Sequence, residues 1–220
     1  MKLLYATTNK AKLESMQRVT NSLNIEIIGL KDLQNLQEFK NIELPQIDES
    51  GKNPLENAII KAKAYYKVLQ IPLFSCDSGL YFENVDEKDQ PGTHIRRVNG
   101  KTLTDEEALE YYASLATSYG GKIKAKYKNA ICLIIDDKNI FSSMDSSLEI
   151  EPFYLVDKPH SKVVEGFPLD SLSVDIKTEK YYNDLEDNLA VDKSTIEIGF
   201  TNFFKQVFSQ ITKQMEAIYI

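Results

Sequence analysis

Phe74-Ser75-Cys76-Asp77-Ser78-Gly79-Leu80 is a short apolar run that ends in an acid, a hydroxyl and a glycine. Leu73 and Phe74 read as the buried end of a strand. Asp77, Ser78 and Gly79 then read as the turn where the backbone leaves the sheet, with Gly79 allowing a bend that a side chain would hinder. A turn of this kind presents a carboxylate at a sheet end. Asp, Ser and Gly are also the ordinary turn residues, so taken alone the stretch is better read as a plain strand-end turn.

The residues upstream give Asp77 a partner. Asp48-Glu49-Ser50-Gly51 is an acidic turn, and Asn53-Pro54-Leu55-Glu56 follows it with a cap residue, proline at the first helical position and an acid at the third. That is a strong helix start. Leu55, Ile59, Ala62 and Tyr66 form its core stripe, and Lys61 points away from it. A helix and a strand between Glu49 and Asp77 can return the chain to the same end of a sheet, which lets the two carboxylates meet. Such a pair can hold a magnesium ion that keeps waters for a phosphate chain, although each acid taken singly is an ordinary solvated turn acid.

The chain begins with the same grammar. Leu3-Leu4-Tyr5-Ala6 is a strand, Thr7-Thr8-Asn9 a polar turn, and Leu13, Met16, Val19 and Leu23 recur at helical spacing. Thr7, Thr8 or Asn9 can cap that helix, whose N-terminus has unpaired N–H groups and a positive dipole end, with Lys10 and Lys12 beside it. A phosphate cradle and a plain N-cap with two solvated lysines are equally open readings. No Gly-x-x-x-x-Gly-Lys pattern occurs, so this is not a P-loop.

Composition narrows the functions. The 220 residues are 42% hydrophobic and 27% charged, which is ordinary for a globular chain able to bury a substantial core. The net charge of −7 disfavours a broad surface for duplex DNA or RNA, so no nucleic-acid partner is expected. An acidic protein that handles a polyanion has to use a few local lysines or a metal on carboxylates. No long apolar segment spans a membrane, and Met1 to Ala6 is too short for a signal-peptide core, so the expected location is cytoplasmic. Cys76 and Cys132 lie in apolar stretches and read as reduced thiols, and His94 and His160 are too far apart to suggest zinc.

Downstream, Ile25 to Ile28 reads as a second strand, Lys31 to Gln46 as a loop with a helical turn, and Leu80-Tyr81-Phe82 as a further strand. Arg96 and Arg97 suit phosphate or carboxylate, or stand as a surface pair. Thr104-Asp105-Glu106-Glu107 is a capping box opening a helix that buries Leu109, Tyr112 and Leu115. After Gly120-Gly121, Ile123, Ala125 and Tyr127 alternate with Lys122, Lys124, Lys126 and Lys128 in a strand that runs into Ala130 to Ile135, with Ile140-Phe141 as hairpin partner. Leu148 to Val164 reads as two short strands. The loop Glu165 to Asp170 offers Phe167 for stacking and Asp170 for hydrogen bonding to a flat ligand, although a loop phenylalanine is more often simply a packing anchor. Residues 177–193 are acidic and irregular, and Phe203, Phe204, Val207, Phe208, Ile211, Met215 and Ile218 mark an amphipathic helix that docks on the sheet.

In this order the features resemble the inosine/xanthosine triphosphate pyrophosphatases, which hydrolyse aberrant purine nucleoside triphosphates to the monophosphate and pyrophosphate. The family's Thr-x-Asn-x-x-Lys motif is matched by Thr7, Asn9 and Lys12, and its Glu-Thr-Gly turn by Glu49, Ser50 and Gly51. Its Glu-Asn-Ala-x-x-Lys-Ala helix is matched by Glu56, Asn57, Ala58, Lys61 and Ala62. Its Asp-Asp-Ser-Gly-Leu signature appears as Cys76 to Leu80, and its Pro-Gly with downstream Arg as Pro91, Gly92 and Arg97. The resemblance is strong over residues 1 to about 135.

The resemblance implies an α/β fold with a mixed central sheet and flanking helices, in one elongated two-lobed domain over 1–220 with a cleft. It implies Asp77 as catalytic acid and magnesium (Mg2+) ligand with Glu49, and a nucleoside triphosphate whose phosphates are held by Thr7, Asn9, Lys12, Lys61 and Ser78, with Arg97 matching a family arginine; the residues themselves add Thr8, Lys10, Phe167 and Asp170 as substrate-binding candidates. It further implies a homodimer. Two departures stand out. Cys76 replaces the first acid of the signature, and Phe167-Pro168-Leu169-Asp170-Ser171 replaces Phe-Gly-Tyr-Asp-Pro, with no Ser-His-Arg near the C-terminus. A nucleotide-binding or sensing protein with weak or no hydrolysis is the alternative expectation, and a structural α/β domain the third.

Overall fold

A computed structural model describes the backbone of residues 1–185 and 191–218, with side chains over 1–185 and 196–214. The first strands and helices are β1 (Lys2–Tyr5), α1 (Lys10–Asn21), β2 (Glu26–Gly29), α2 (Leu30–Gln34), α3 (Pro54–Leu69) and β3 (Leu73–Phe82). A small hairpin of β4 (Arg97–Val98) and β5 (Lys101–Thr102) precedes α4 (Asp105–Ser118). The chain continues through β6 (Lys122–Ile134), β7 (Ile140–Ser143), β8 (Phe153–Val156), β9 (Ser173–Asp175) and α5 (Val191–Ile218). The main sheet has the order β2-β1-β3-β6-β8-β9, with β7 on β6. β1 runs parallel to β2 and β3, and the other pairings are antiparallel, so the sheet is mixed as expected.

The structure corrects the reading of residues 77–79 as a turn. β3 passes straight through them, paired with β6 from Leu73↔Ile134 to Phe82↔Ala125, with Asp77 opposite Ala130 and Ser78 opposite Asn129. A neighbouring strand of 13 residues pairs with the backbone throughout, and this long-range pairing outweighs the local turn preference of Asp-Ser-Gly. Gly79 is needed for room: a Cβ there would stand 2.8 Å from the Tyr81 ring and 3.1 Å from Pro54. A second correction concerns Leu148 to Val164, which holds one strand, β8, while its neighbour β9 lies beyond that range. Pro159, shortly after β8, has no N–H to extend the ladder.

Alternation along the long strands divides the core between two faces. Phe74, Ile131 and Leu133 join Tyr5, Met16 and Val19 under α1 and α5, whose Phe200, Phe203, Phe204 and Val207 complete the cluster. Met215 and Ile218 of the expected stripe lie outside the described side chains, and residues 186–190 of the acidic stretch lie outside the described residues. Leu73, Cys132 and Ile134 face the other way, onto Ala58 and Ala62 of α3 and Leu30 and Leu33 of α2. A third cluster seats Tyr112 and Ala116 of α4 on Leu80, Phe82, Ile123, Ala125, Phe153 and Leu155. β3 is open at Cys76, Asp77 and Ser78, which are half-buried while both ends of the strand are buried. Among the described residues no helix is long and apolar enough to cross a membrane.

Candidate active site

The opening in β3 faces the starts of α1 and α3. At α1, Asn9 is the cap: its Oδ1 accepts the Lys12 N–H at 3.1 Å, while its own N–H donates to Thr7 Oγ1 at 3.2 Å. The first N–H groups of a helix have no intrahelical acceptor and suit an anion. Lys12 is half-buried, and burial together with the charge of Lys61 pushes its pKa down, against the pull of Asp77, Cys76 and Glu49. Lys10 does not join it. Its side chain is 86% exposed and pairs with Glu14 at 3.6 Å, and Thr8 is exposed in the turn.

At α3 the cap is Asn53, whose Oδ1 accepts the Glu56 N–H at 3.0 Å. Glu56 turns back to the Lys52 N–H at 2.8 Å and to Asn53 Nδ2 at 3.1 Å, so it serves the helix start. The next residue, Asn57, is buried and bridges the two acidic segments. Its Oδ1 accepts the Gly51 N–H at 2.8 Å, and its Nδ2 donates to Asp77 Oδ2 at 3.1 Å. Gly51 must be a glycine for this approach, since a Cβ would stand 2.5 Å from Asn57 Oδ1.

Lys61 lies one turn beyond Asn57, on the same side of the helix. Its Nζ is 2.8 Å from Glu49 Oε1 and 3.6 Å from Asp77 Oδ1, so the two acids meet through one ammonium. Arg97 Nη2 reaches the other Glu49 oxygen at 3.1 Å. Burial alone would lower the Lys61 pKa, but Asp77 and Glu49 more than offset it and hold the ammonium above its ordinary value. Burial raises Glu49 less than Lys61, Arg97 and Lys12 lower it, and it stays below the usual carboxylate range. Asp77 goes the other way: burial raises it, and Lys61, Asn57 and Lys12 only partly compensate.

Beside Asp77, Ser78 Oγ donates to Asn129 Oδ1 at 2.7 Å, and Asn129 Nδ2 donates to the Leu148 carbonyl at 2.8 Å. Cys76 shares the face of Ser78, opposite Asp77. Burial pushes its thiol up to about 12, above the opposing effects of a hydrogen bond with Tyr5 and the charges of Lys12 and Lys61. It is a neutral group at pH 7. Phe167 and Asp170 belong to a separate segment that reaches the site through Gly166, where a Cβ would stand 3.2 Å from Asn9 Oδ1. Burial and the Asp170 charge raise the Tyr127 phenol on the neighbouring strand.

The geometry therefore gathers Thr7, Asn9, Lys12, Glu49, Lys61, Asp77 and Arg97, leaves Lys10 in solvent, and adds two residues with no role assigned from sequence. Asn57 orients Asp77, and Asn129 holds Ser78. Each breaks an apolar pattern with a buried amide, Asn57 next to Ala58 and Asn129 ahead of Ala130 to Ile135. A buried amide needs partners, and that is the signal that could have found both.

Fold and site define an α/β protein with a lysine-bridged carboxylate pair beside the asparagine-capped N-terminus of α1. The Ham1 family model matches residues 3–150, and the chain belongs to the Ham1 family. It is 30% identical over 105 residues to a dITP/XTP pyrophosphatase of Geobacter sulfurreducens, covering 48% of each chain. To the protein of that name from Thermoanaerobacter pseudethanolicus it is 27% identical over 191 residues, covering 86% of this chain and 84% of the other. The chain thus spans about half the length of the first of these curated relatives. In fold it is similar to a HAM1 protein from Coxiella burnetii, with a TM-score of 0.68 at 19% identity over 94% of this chain and 99% of that one.

Proposed function

We propose that this chain hydrolyses a nucleoside triphosphate to the monophosphate and pyrophosphate, with magnesium as cofactor and an aberrant purine nucleotide as substrate, in the cytosol and as a homodimer. The observation that carries the reading is the Lys61 ammonium between Glu49 and Asp77, with Lys12 of the α1 N-terminus close enough to feel all three charges. The names of the Geobacter and Thermoanaerobacter relatives support the substrate class.

Magnesium takes oxygen donors and binds nucleotides through one or two carboxylates, with phosphate oxygens and water completing its shell. Glu49 and Asp77 fit that requirement and would hold it. When bound it neutralises charge on the phosphate oxygens. The chain's own residues do the rest. Asn57 donates to Asp77 Oδ2 and Lys61 faces Oδ1, so the carboxylate is held in place to orient the attacking water and take its proton. Lys61, Lys12 and Arg97 offset the charge of the phosphate chain while the anhydride bond between the α and β phosphates breaks.

Incubation with magnesium and a panel of nucleotides is expected to release pyrophosphate and a nucleoside monophosphate. Release of single phosphate, or no turnover on any nucleotide, overturns the reading. Asp77→Asn is expected to abolish turnover with folding intact. One observation favours a second reading, a nucleotide-binding or sensing protein with weak hydrolysis: Cys76 is a neutral thiol where the family has an acid. Micromolar binding without turnover would support it.

A further inference from the structure

Arg96 and Arg97 are adjacent in sequence and go to different acids. Arg97 joins Glu49. Arg96 Nη2 lies 2.5 Å from Oδ1 of Asp105, the first residue of α4. The second oxygen of that carboxylate, Oδ2, accepts the backbone N–H of Gly166 at 2.8 Å, and Arg96 Nη2 reaches the Gly166 carbonyl oxygen at 3.5 Å. The carboxylate thus holds the N–H of Gly166, and the guanidinium paired with that carboxylate makes a long, weak contact with its carbonyl.

That residue sits against the cap of α1. Gly166 has φ +82°, a conformation that favours glycine, and a Cβ placed there would stand 3.2 Å from Asn9 Oδ1 and 3.5 Å from Ala11 Cβ. Phe167 and Asp170 follow directly. The ion pair is partly exposed, at 37% for Arg96 and 33% for Asp105, and a pair of that kind adds little to stability. Its consequence is positional: it fixes where the Gly166 backbone, and the two side chains after it, meet the phosphate-binding end of α1.

We propose that Arg96 and Asp105 are positioning residues that latch the 163–170 loop to the start of α4, with Gly166 held against the N-terminus of α1, and so set how tightly the nucleoside end of the substrate is held. The proposal rests on the nucleotide reading above. Neither residue touches Glu49, Lys61 or Asp77, so loss of the latch loosens the nucleoside end and leaves the hydrolytic cluster in place.

The test compares wild type with Arg96→Ala, Asp105→Asn and the milder Arg96→Lys, using a turned-over nucleoside triphosphate, its non-hydrolysable analogue, and inorganic tripolyphosphate as a competitor that has no nucleoside. KM and the analogue Kd are expected to rise about tenfold in Arg96→Ala and Asp105→Asn, with kcat within about twofold, the signature of lost ground-state binding. Arg96→Lys falls between. Tripolyphosphate inhibition stays unchanged, and amide hydrogen exchange quickens across 163–170, Gly166 above all. Thermal melts check folding; if Arg96→Ala does not fold, the other two variants decide. Turnover by wild type with KM and Kd unmoved in the folded variants overturns the latch alone, as does an equal weakening of tripolyphosphate. A wild type that neither binds nor hydrolyses any nucleotide with magnesium overturns the nucleotide reading and, with it, the latch.

Discussion

Asn57 Nδ2 donates a 3.1 Å hydrogen bond to Asp77 Oδ2, joining α3 to the open middle of β3. The same amide accepts the Gly51 N–H, so one buried side chain ties the Glu49 turn, the helix and the proposed base together. Asn57→Asp keeps an acceptor for Gly51 and sets a second carboxylate against the first. Like charges at that distance raise the carboxyl pKa and remove the donor that orients Asp77. The expected outcome is a folded protein with turnover down at least about tenfold, whereas Asn57→Ala also orphans the Gly51 N–H and costs about 1–3 kcal/mol of stability. Melting curves beside rate measurements separate the two. Undiminished turnover in Asn57→Asp would remove the amide from any role in orienting Asp77.

The pH dependence follows from the charges around Asp77. Burial holds its pKa above the ordinary carboxylate value, and Lys61 is the largest opposing influence. As the proposed base Asp77 works ionised, so activity is expected to rise with pH through that raised value. Lys61→Gln removes the cation that favours the ionised form, and the acid limb of the kcat/KM profile is expected to move to higher pH. The position of the limb is the readout, since the height also falls when a cation proposed to offset phosphate charge is lost. A limb that stays in place, or moves to lower pH, contradicts the coupling.

Local sequence signals made most of the fold legible. The Asn53-Pro54 start of α3, the Thr104 to Glu107 box of α4 and the phenylalanine stripe of α5 are interactions within a few residues, and each is found where the pattern puts it. The passage of β3 through Asp77 to Gly79 was not legible, because the backbone there is satisfied by β6, about fifty residues away in the register Asp77↔Ala130. Within the candidate site, the meeting of Glu49 and Asp77 was legible from topology, though it falls at the middle of β3 and not at a sheet end, and the resemblance supplied Lys61; the amide of Asn57 that bridges them was not legible. Lys10 was avoidable: two residues on a helix differ by about 200° in direction, so Lys10 and Lys12 do not share a face.

Gly199 offers a test of how α5 docks. Replacing a glycine inside a helix by alanine ordinarily stabilises it by about 1 kcal/mol. Here a Cβ would stand 2.0 Å from the Ser147 carbonyl oxygen, so the helix has to move off the segment that ends at Leu148. Gly199→Ala is expected to destabilise by about 1–3 kcal/mol, the usual cost of overpacking. Because Asn129 Nδ2 donates to the Leu148 carbonyl, the Ser78 to Asn129 contact is disturbed as well. Denaturant unfolding measures the first effect, and a stabilised variant would contradict the packing described.

Cys76 decides how much negative charge the site holds. With its thiol pushed up to about 12, the charged groups near Asp77 at pH 7 are Glu49, Lys12, Lys61 and Arg97, so cations outnumber acids three to two. Cys76→Asp adds a carboxylate within reach of the Lys12 and Lys61 charges and in place of a group already bonded to Tyr5. Burying it is expected to cost about 1–3 kcal/mol of stability in the absence of metal, less than an unpaired charge would, because the lysines lie near. Position 76 faces away from Asp77 across the strand, so the added acid acts through its charge on Lys12 and Lys61 and not as a third magnesium donor. With the cation excess reduced, the magnesium concentration for half-maximal pyrophosphate release is expected to fall, with a larger rise in Tm on adding magnesium. Cys76→Ser, which adds no charge, leaves both unchanged. A magnesium midpoint that moves equally in the serine and aspartate variants would mean that side-chain size at Cys76, rather than the missing charge, governs metal binding.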